Sequence, residues 1–262
     1  MISNHKQVII QMMRCNLYSI LVAAVMVLTS TPATGTESEN KPDSALHGND
    51  THYTKVGFFD IHVCNWPDRE LFFMPLFATS KYSEITDIKI QYPDGKILTS
   101  LNLKQYKVYE PKNKPKKRVF ISQVDVPDGA TDGWYSAIIT KADGTEIIAK
   151  DYVIISRLPR ATEMNPANGD EDIPIPEKMT WSGTENGYFQ VFIRDAWEES
   201  KLIYESKLLR EPELTVPAGL LKPGGLYTWQ IHSRDVNEDI LLGDFNKGSM
   251  SRIATFSIAD DQ

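Results

Sequence analysis

Cysteine is close to absent from this 262-residue chain, which carries only Cys15 and Cys64. Cys15 precedes the apolar stretch Leu17 to Leu28, so removal of the N-terminal segment leaves Cys64 alone. One cysteine closes no internal disulfide, and stability has to come from apolar cores. Two halves of about a hundred residues each are long enough to build them. Catalytic signatures are missing too. There is no Gly-x-Ser-x-Gly elbow, and Ser249 and Ser251 lie in a polar stretch with no histidine close by in sequence. No cofactor fingerprint stands out, and no ten-residue window shows helical periodicity. Positive charge is in deficit, with 28 Lys and Arg against 35 Asp and Glu, a net of −7. Removing Lys6 and Arg14 with the N-terminal segment takes this to −9. An acidic surface of that kind disfavours non-specific binding to nucleic acid or anionic lipid.

What the first residues do have is the layout of an export signal. Lys6 and Arg14 form a positive region, Leu17 to Leu28 an apolar one, and Ala33-Thr34-Gly35 a small-x-small cleavage site. The apolar run is about a dozen residues, short of the roughly twenty that span a membrane. A cleaved signal over residues 1–35 is the expectation, with an uncleaved anchor as the competing reading. The mature chain is then periplasmic or secreted, with no integral span after cleavage. Residues 36–53 are polar and read as a flexible leader. Asn49-Asp50-Thr51 there matches a glycosylation sequon by pattern.

From residue 54 to 158 apolar residues alternate with polar ones between turn signals. Ile88, Ile90 and Tyr92 alternate with Asp87, Lys89 and Gln91, as in a strand with one dry face. Pro93-Asp94-Gly95, Pro127-Asp128-Gly129 and Asp143-Gly144 supply turns, the last a tight hairpin. Pro75 within Leu71 to Thr79 cannot donate to a ladder, which places that strand at an edge or a bulge. The pattern predicts an immunoglobulin-like β-sandwich.

Arg157-Leu158-Pro159-Arg160 interrupts the pattern and marks a boundary, with a second domain over 159–262. Here Leu221-Lys222-Pro223-Gly224-Gly225-Leu226-Tyr227-Thr228-Trp229-Gln230-Ile231 resembles the E–F corner and F strand of a fibronectin type III domain. Asn165-Pro166 with Met179-Thr180-Trp181 resembles that family's opening strands, Tyr188 to Arg194 its strand C, and Ile253 to Ile258 its closing strand. The resemblance implies that the Tyr227 ring fills the end of the core while its hydroxyl ties back to the loop backbone. It implies no catalytic residues. The expected fold class is all-β, with two tandem immunoglobulin/fibronectin III-like sandwiches.

Candidate chemistry is sparse. His62-Val63-Cys64 puts an imidazole and a thiol on one strand face, with Asp60 two residues earlier. That pattern suits an activated thiolate or part of a metal site, and His47 and His52 are on hand to complete it. Alternate strand residues stand roughly 7 Å apart, however, so three in a row converge poorly on one ion. The same residues also read as a wet strand face with an inert thiol. Asp235-Val236-Asn237-Glu238-Asp239 has oxygens spaced as in a calcium loop, but Ile240 and Asn246 stand where glycine and an acid are needed. Lys114, Lys116, Lys117 and Arg118 form a basic cluster able to meet an anionic partner or to guard a sheet edge. Trp66 and Trp197 fall outside clear strands and are the exposed-aromatic candidates, whereas Trp134, Trp181 and Trp229 read as core. A non-catalytic protein of the bacterial envelope or extracellular space is the first expectation, binding a protein partner through sandwich loops or edges. A carbohydrate-binding or accessory protein is second, and a hydrolase third.

Overall fold

The computed structural model describes residues 52–110, 115–183, 187–235 and 245–260. The signal segment, most of the leader with its sequon and His47, Lys114, and residues 236–244 of the calcium-like stretch lie outside them. Strands β1 (Tyr53–Thr54), β2 (Gly57–Asn65), β3 (Phe72–Thr79), β4 (Ile85–Gln91), β5 (Ile97–Ser100), β6 (Tyr106–Tyr109), β7 (Lys117–Ile121), β8 (Val124–Asp125), β9 (Gly133–Lys141) and β10 (Glu146–Val153) make up the first half. The second half holds β11 (Thr162–Asn165), β12 (Asp170–Ile173), β13 (Lys178–Ser182), β14 (Tyr188–Asp195), β15 (Lys201–Glu205), β16 (Glu213–Thr215), β17 (Leu226–Arg234), β18 (Lys247–Met250) and β19 (Ala254–Ile258). No α-helix occurs among the described residues, so none there is long and apolar enough to cross a membrane.

Period-two patterning builds the first core. The sheet β10-β9-β4-β5 turns Ile88, Ile90, Tyr135, Ala137, Ile139, Ala149 and Val153 inward. Phe59, Ile61 and Val63 of β2 meet them, with Phe73, Phe77 and Phe120 from β3 and β7. The β9–β10 hairpin closes at Asp143-Gly144, where Gly144 has φ +80 and Asp143 Oδ1 accepts from Thr145 N–H at 3.0 Å. That left-handed conformation suits glycine.

The second core packs β11-β13-β16 against β14, β17 and β19. Trp181 lies edge-on to both Phe189 and Trp229, and Trp229 Nε1 donates to Pro166 O at 3.0 Å. Buried rings of this size contribute about 2–3 kcal/mol each through the area they hide from water. The tie-back expected of Tyr227 is present: Lys222 N–H donates to its hydroxyl oxygen at 2.9 Å.

Three features depart from the sequence reading. Tyr53 and Thr54 pair with Phe58 and Gly57, and His52 is buried, so the end of the expected leader belongs to the sandwich. Pro75 is not on an edge strand, since β3 lies between β2 and the β7/β8 pair. Its missing N–H faces the break between β7 and β8, and only its carbonyl is used there, by Ser122 N–H at 3.1 Å. The third departure concerns the join. β18 pairs in parallel with β2, Lys247 against Val63 and Ser249 against Asn65, while also pairing with β17. One sheet therefore runs from the second core into the first.

Candidate functional site

The edge of β2 facing away from β3 is assembled from distant parts of the chain. Phe59 N–H donates to His52 O at 2.9 Å, and Val63 N–H donates to Asn246 O at 2.8 Å. Between them Ile61 N–H donates to the Asp151 carboxylate at 2.7 Å, so a side chain stands in where a strand carbonyl would. Asn246 then clamps the end of β10. Its Oδ1 accepts from Ile154 N–H at 3.0 Å and its Nδ2 donates to Ile154 O at 2.9 Å.

A buried polar row runs through this join. His62 Nε2 lies 2.7 Å from Asp60 Oδ2, and the His62 ring stacks on Phe245 with centroids 3.6 Å apart. Phe245 lies edge-on to His232, whose Nδ1 accepts from Arg234 Nε at 3.2 Å. Arg234 Nη2 donates to Gln190 Oε1 at 2.6 Å, and Gln190 Nε2 donates to Glu205 at 2.8 Å. Gly248 leaves the room for this arrangement, since a Cβ there would sit 2.7 Å from His232 Nε2. Asp60, His62, His232 and Arg234 are all 2% exposed or less.

Burial sets the charges. It pushes His232 well below the usual imidazole value, helped by the Arg234 and His62 charges. It lowers Arg234 to about 10 against the pull of Glu205, and raises Glu205 and Asp235 above the usual carboxylate range. His232 stays neutral in the fold, while in the unfolded chain it takes a proton below about pH 6.5. Its contribution is thus complete above that pH and lost as pH falls, by up to about 1.4 kcal/mol per pH unit. Glu205 and Asp235 tilt the other way, favouring the fold at acid pH and losing that contribution as pH rises through their raised values. Urea melts across this range should show a shallower slope below about pH 6.5 for His232→Gln and a steeper one for Glu205→Gln.

The residues expected from sequence fall in different places. His62 and Cys64 share a face with Asp60, but that face is dry, not wet. Cys64 is fully buried with Trp66, Phe72, Met74 and Met250, and burial drives its thiol far above the ordinary value. Burial thus holds it as the neutral thiol. In a Cys15→Ser background, folded protein should react with a thiol reagent at least about 100-fold more slowly than denatured protein, read by absorbance. Trp66 is also buried, edge-on to Phe72, which corrects its reading as an exposed aromatic. Trp197 is 72% exposed on the β14–β15 turn, where Asp195 Oδ1 accepts from its N–H at 2.9 Å. Trp134, read as core, is instead half-buried on the outer face of its sheet, edge-on to Tyr152. In the basic cluster Lys116 pairs with Glu110, Lys117 is half-buried opposite Tyr109, and the Arg118 guanidinium lies over Tyr82 at 3.9 Å and Tyr106 at 4.0 Å. Sequence reasoning missed Asp151, Arg234 and Asn246. Asp151 had a signal, a carboxylate in the inward register between Ala149 and Val153.

The strands and cores define the class: an all-β protein of immunoglobulin- and fibronectin III-like sandwiches in tandem. No family model matches the chain, and no match appears among curated proteins. Among solved structures, the FN1–FN3 domains of chicken CNTN1 overlap 78% of the chain at 11% identity and TM-score 0.27, with 65% of that structure covered. Latent PorU from Porphyromonas gingivalis overlaps 83% at 12% identity and TM-score 0.26, with 21% covered. SGBP-B of the Bacteroides ovatus mixed-linkage glucan utilization locus, in complex with a mixed-linkage heptasaccharide, overlaps 80% at 11% identity and TM-score 0.23, with 45% covered. Scores this low carry no functional argument.

Proposed function

We propose that the chain is an exported, non-catalytic interaction protein, built as modules 54–158 and 159–262, that docks a protein partner on the outer face of the sheet β10-β9-β4-β5. The carrying observation is the make-up of that face. Where alternation calls for polar residues, Ile148 pairs with Ile138 and Tyr152 pairs with Trp134. Ile148 is 54% exposed, Lys89 lies beside Ile138 on β4, and the Lys150–Ser136 pair lies between the two apolar pairs. Exposed aromatic and branched side chains on one sheet face are features of a protein-binding surface. The centre of the buried polar row, Asp60, His62, His232 and Arg234, is by contrast 2% exposed or less, which supports a non-catalytic role. Cross-linking of the mature chain in its native envelope, with and without Ile138→Lys/Ile148→Lys, tests the reading. Loss of capture by roughly 10–100-fold with an unchanged melting temperature is expected. Equal capture by both proteins sinks it.

Trp197 favours a second reading, a glycan ligand, because its indole is presented to solvent on a braced turn. If Trp197→Ala leaves all signals on a glycan array unchanged, that reading fails.

A further inference from the structure

His52, Asp60 and Asp151 come together from three separate stretches of chain. All three are 5% exposed or less, and one ligand atom from each lies within 4.8 Å of the others. His52 Nε2 and Asp151 Oδ1 are 4.0 Å apart. We propose that these residues hold a divalent transition-metal ion, Zn2+ being the best match, as a structural site at the edge of β2.

Each group is oriented from behind in the way metal ligands are. His52 Nδ1 lies 3.0 Å from Phe59 O, and a carbonyl only accepts, so Nδ1 carries a proton and the neutral ring has its lone pair on Nε2. Ile61 N–H holds Asp151 Oδ2, which turns the other oxygen toward His52. His62 Nε2 holds Asp60 Oδ2 at 2.7 Å, making His62 a positioning residue and not a ligand. Charge points the same way. The two carboxylates share a dry interior with the imidazoles of His62, 2.7 Å from Asp60, and His52, 4.0 Å from Asp151, and a divalent ion would add to that balance. One imidazole nitrogen with two carboxylate oxygens is a nitrogen/oxygen set that zinc accepts, and water can fill the fourth position. The spread within 4.8 Å is wider than a closed coordination sphere, so binding draws the groups inward. The ligands sit on β2, on β10 and just before β1, so the ion would fasten the segment leading into β1 to both sheets of the first sandwich.

The test uses the full chain, stripped with chelator, reloaded with Zn2+, Mn2+ or Ca2+, and desalted before elemental analysis. One equivalent of zinc and a rise in melting temperature on the order of 10 °C are expected. His52→Gln and Asp151→Asn should each fall to background, His62→Gln should weaken binding about 10–100-fold, and Cys64→Ser should still load fully. Co2+ in the site should give visible d–d bands with no thiolate charge-transfer band. His52→Gln keeps the test decisive if Asp151→Asn misfolds, because it leaves the Ile61 N–H to Asp151 bond in place. Zinc below about one-tenth equivalent, with no thermal shift, overturns the proposal. So does full loading of both His52→Gln and Asp151→Asn, or a thiolate band.

Discussion

Arg234→Ala should cost about 3–5 kcal/mol of folding free energy, measured by urea unfolding at neutral pH. Arg234 is among the largest fully buried side chains, and it sits where β17 turns from serving the second core to meeting β18. Its guanidinium organises three neighbours: Nη2 reaches Gln190, Nε reaches His232, and Cζ lies 5.0 Å from the Phe245 ring centre. Truncation strips Gln190 Oε1 of a charge-assisted bond, removes the positive charge that opposes burial of Glu205, and opens a void under Phe245. Arg234→Lys should recover less than half of the loss, because an ammonium has no planar fork to span Gln190 and His232. A loss below about 1 kcal/mol for Arg234→Ala would mean that the row is held by its apolar packing alone.

How much of this was legible in the chain depends on the range of the interaction. Alternation and turn chemistry are local, so the strands around Ile88, Ile139 and Trp229 were readable, as was the backbone tie of Tyr227. Trp66 was misread because what covers it, Phe72 and Met250, includes a residue from the opposite half of the chain. Trp134 was misread because alternation assigns a face but not which face is wet. The same limit applied to Asp60 and His62, whose face looks solvated until β18 and Phe245 close over it. Pro75 was half-readable: the missing donor was certain, but the strand break that accommodates it belongs to the partner strand. His52 and Asp60 could be named in sequence, whereas Asp151, 90 residues from the Ile61 N–H it caps, could not be placed beside them. Features set by neighbouring residues of one strand show in sequence; sites assembled from distant stretches of chain do not.

That join leads to the other large expected effect, at Asn246. Tandem sandwiches linked by a flexible hinge would melt separately, but here β18 is laddered to β17 and β2 at once, so the intact protein should unfold in a single transition. Asn246 is 4% exposed and immediately precedes β18. Its side chain makes a two-bond clamp on Ile154, while its carbonyl accepts from Val63 N–H. Asn246→Ala preserves the carbonyl contact and removes the clamp, leaving the Ile154 N–H and C=O to find other partners. Each such group costs about 1–3 kcal/mol when buried, and Ile154 is partly exposed, so a loss of about 2–4 kcal/mol is expected. The shape of the melt is the sharper readout. With the end of β10 released from the strand that bridges the cores, calorimetry should resolve two overlapping transitions where the parent shows one. Asn246→Asp tests the donor half separately: it keeps an acceptor for Ile154 N–H but sets a carboxylate against Ile154 O, and should fall on the destabilised side by a similar amount. If Asn246→Ala still melts in one transition with calorimetric and van't Hoff enthalpies equal, the β2–β18 ladder alone couples the halves.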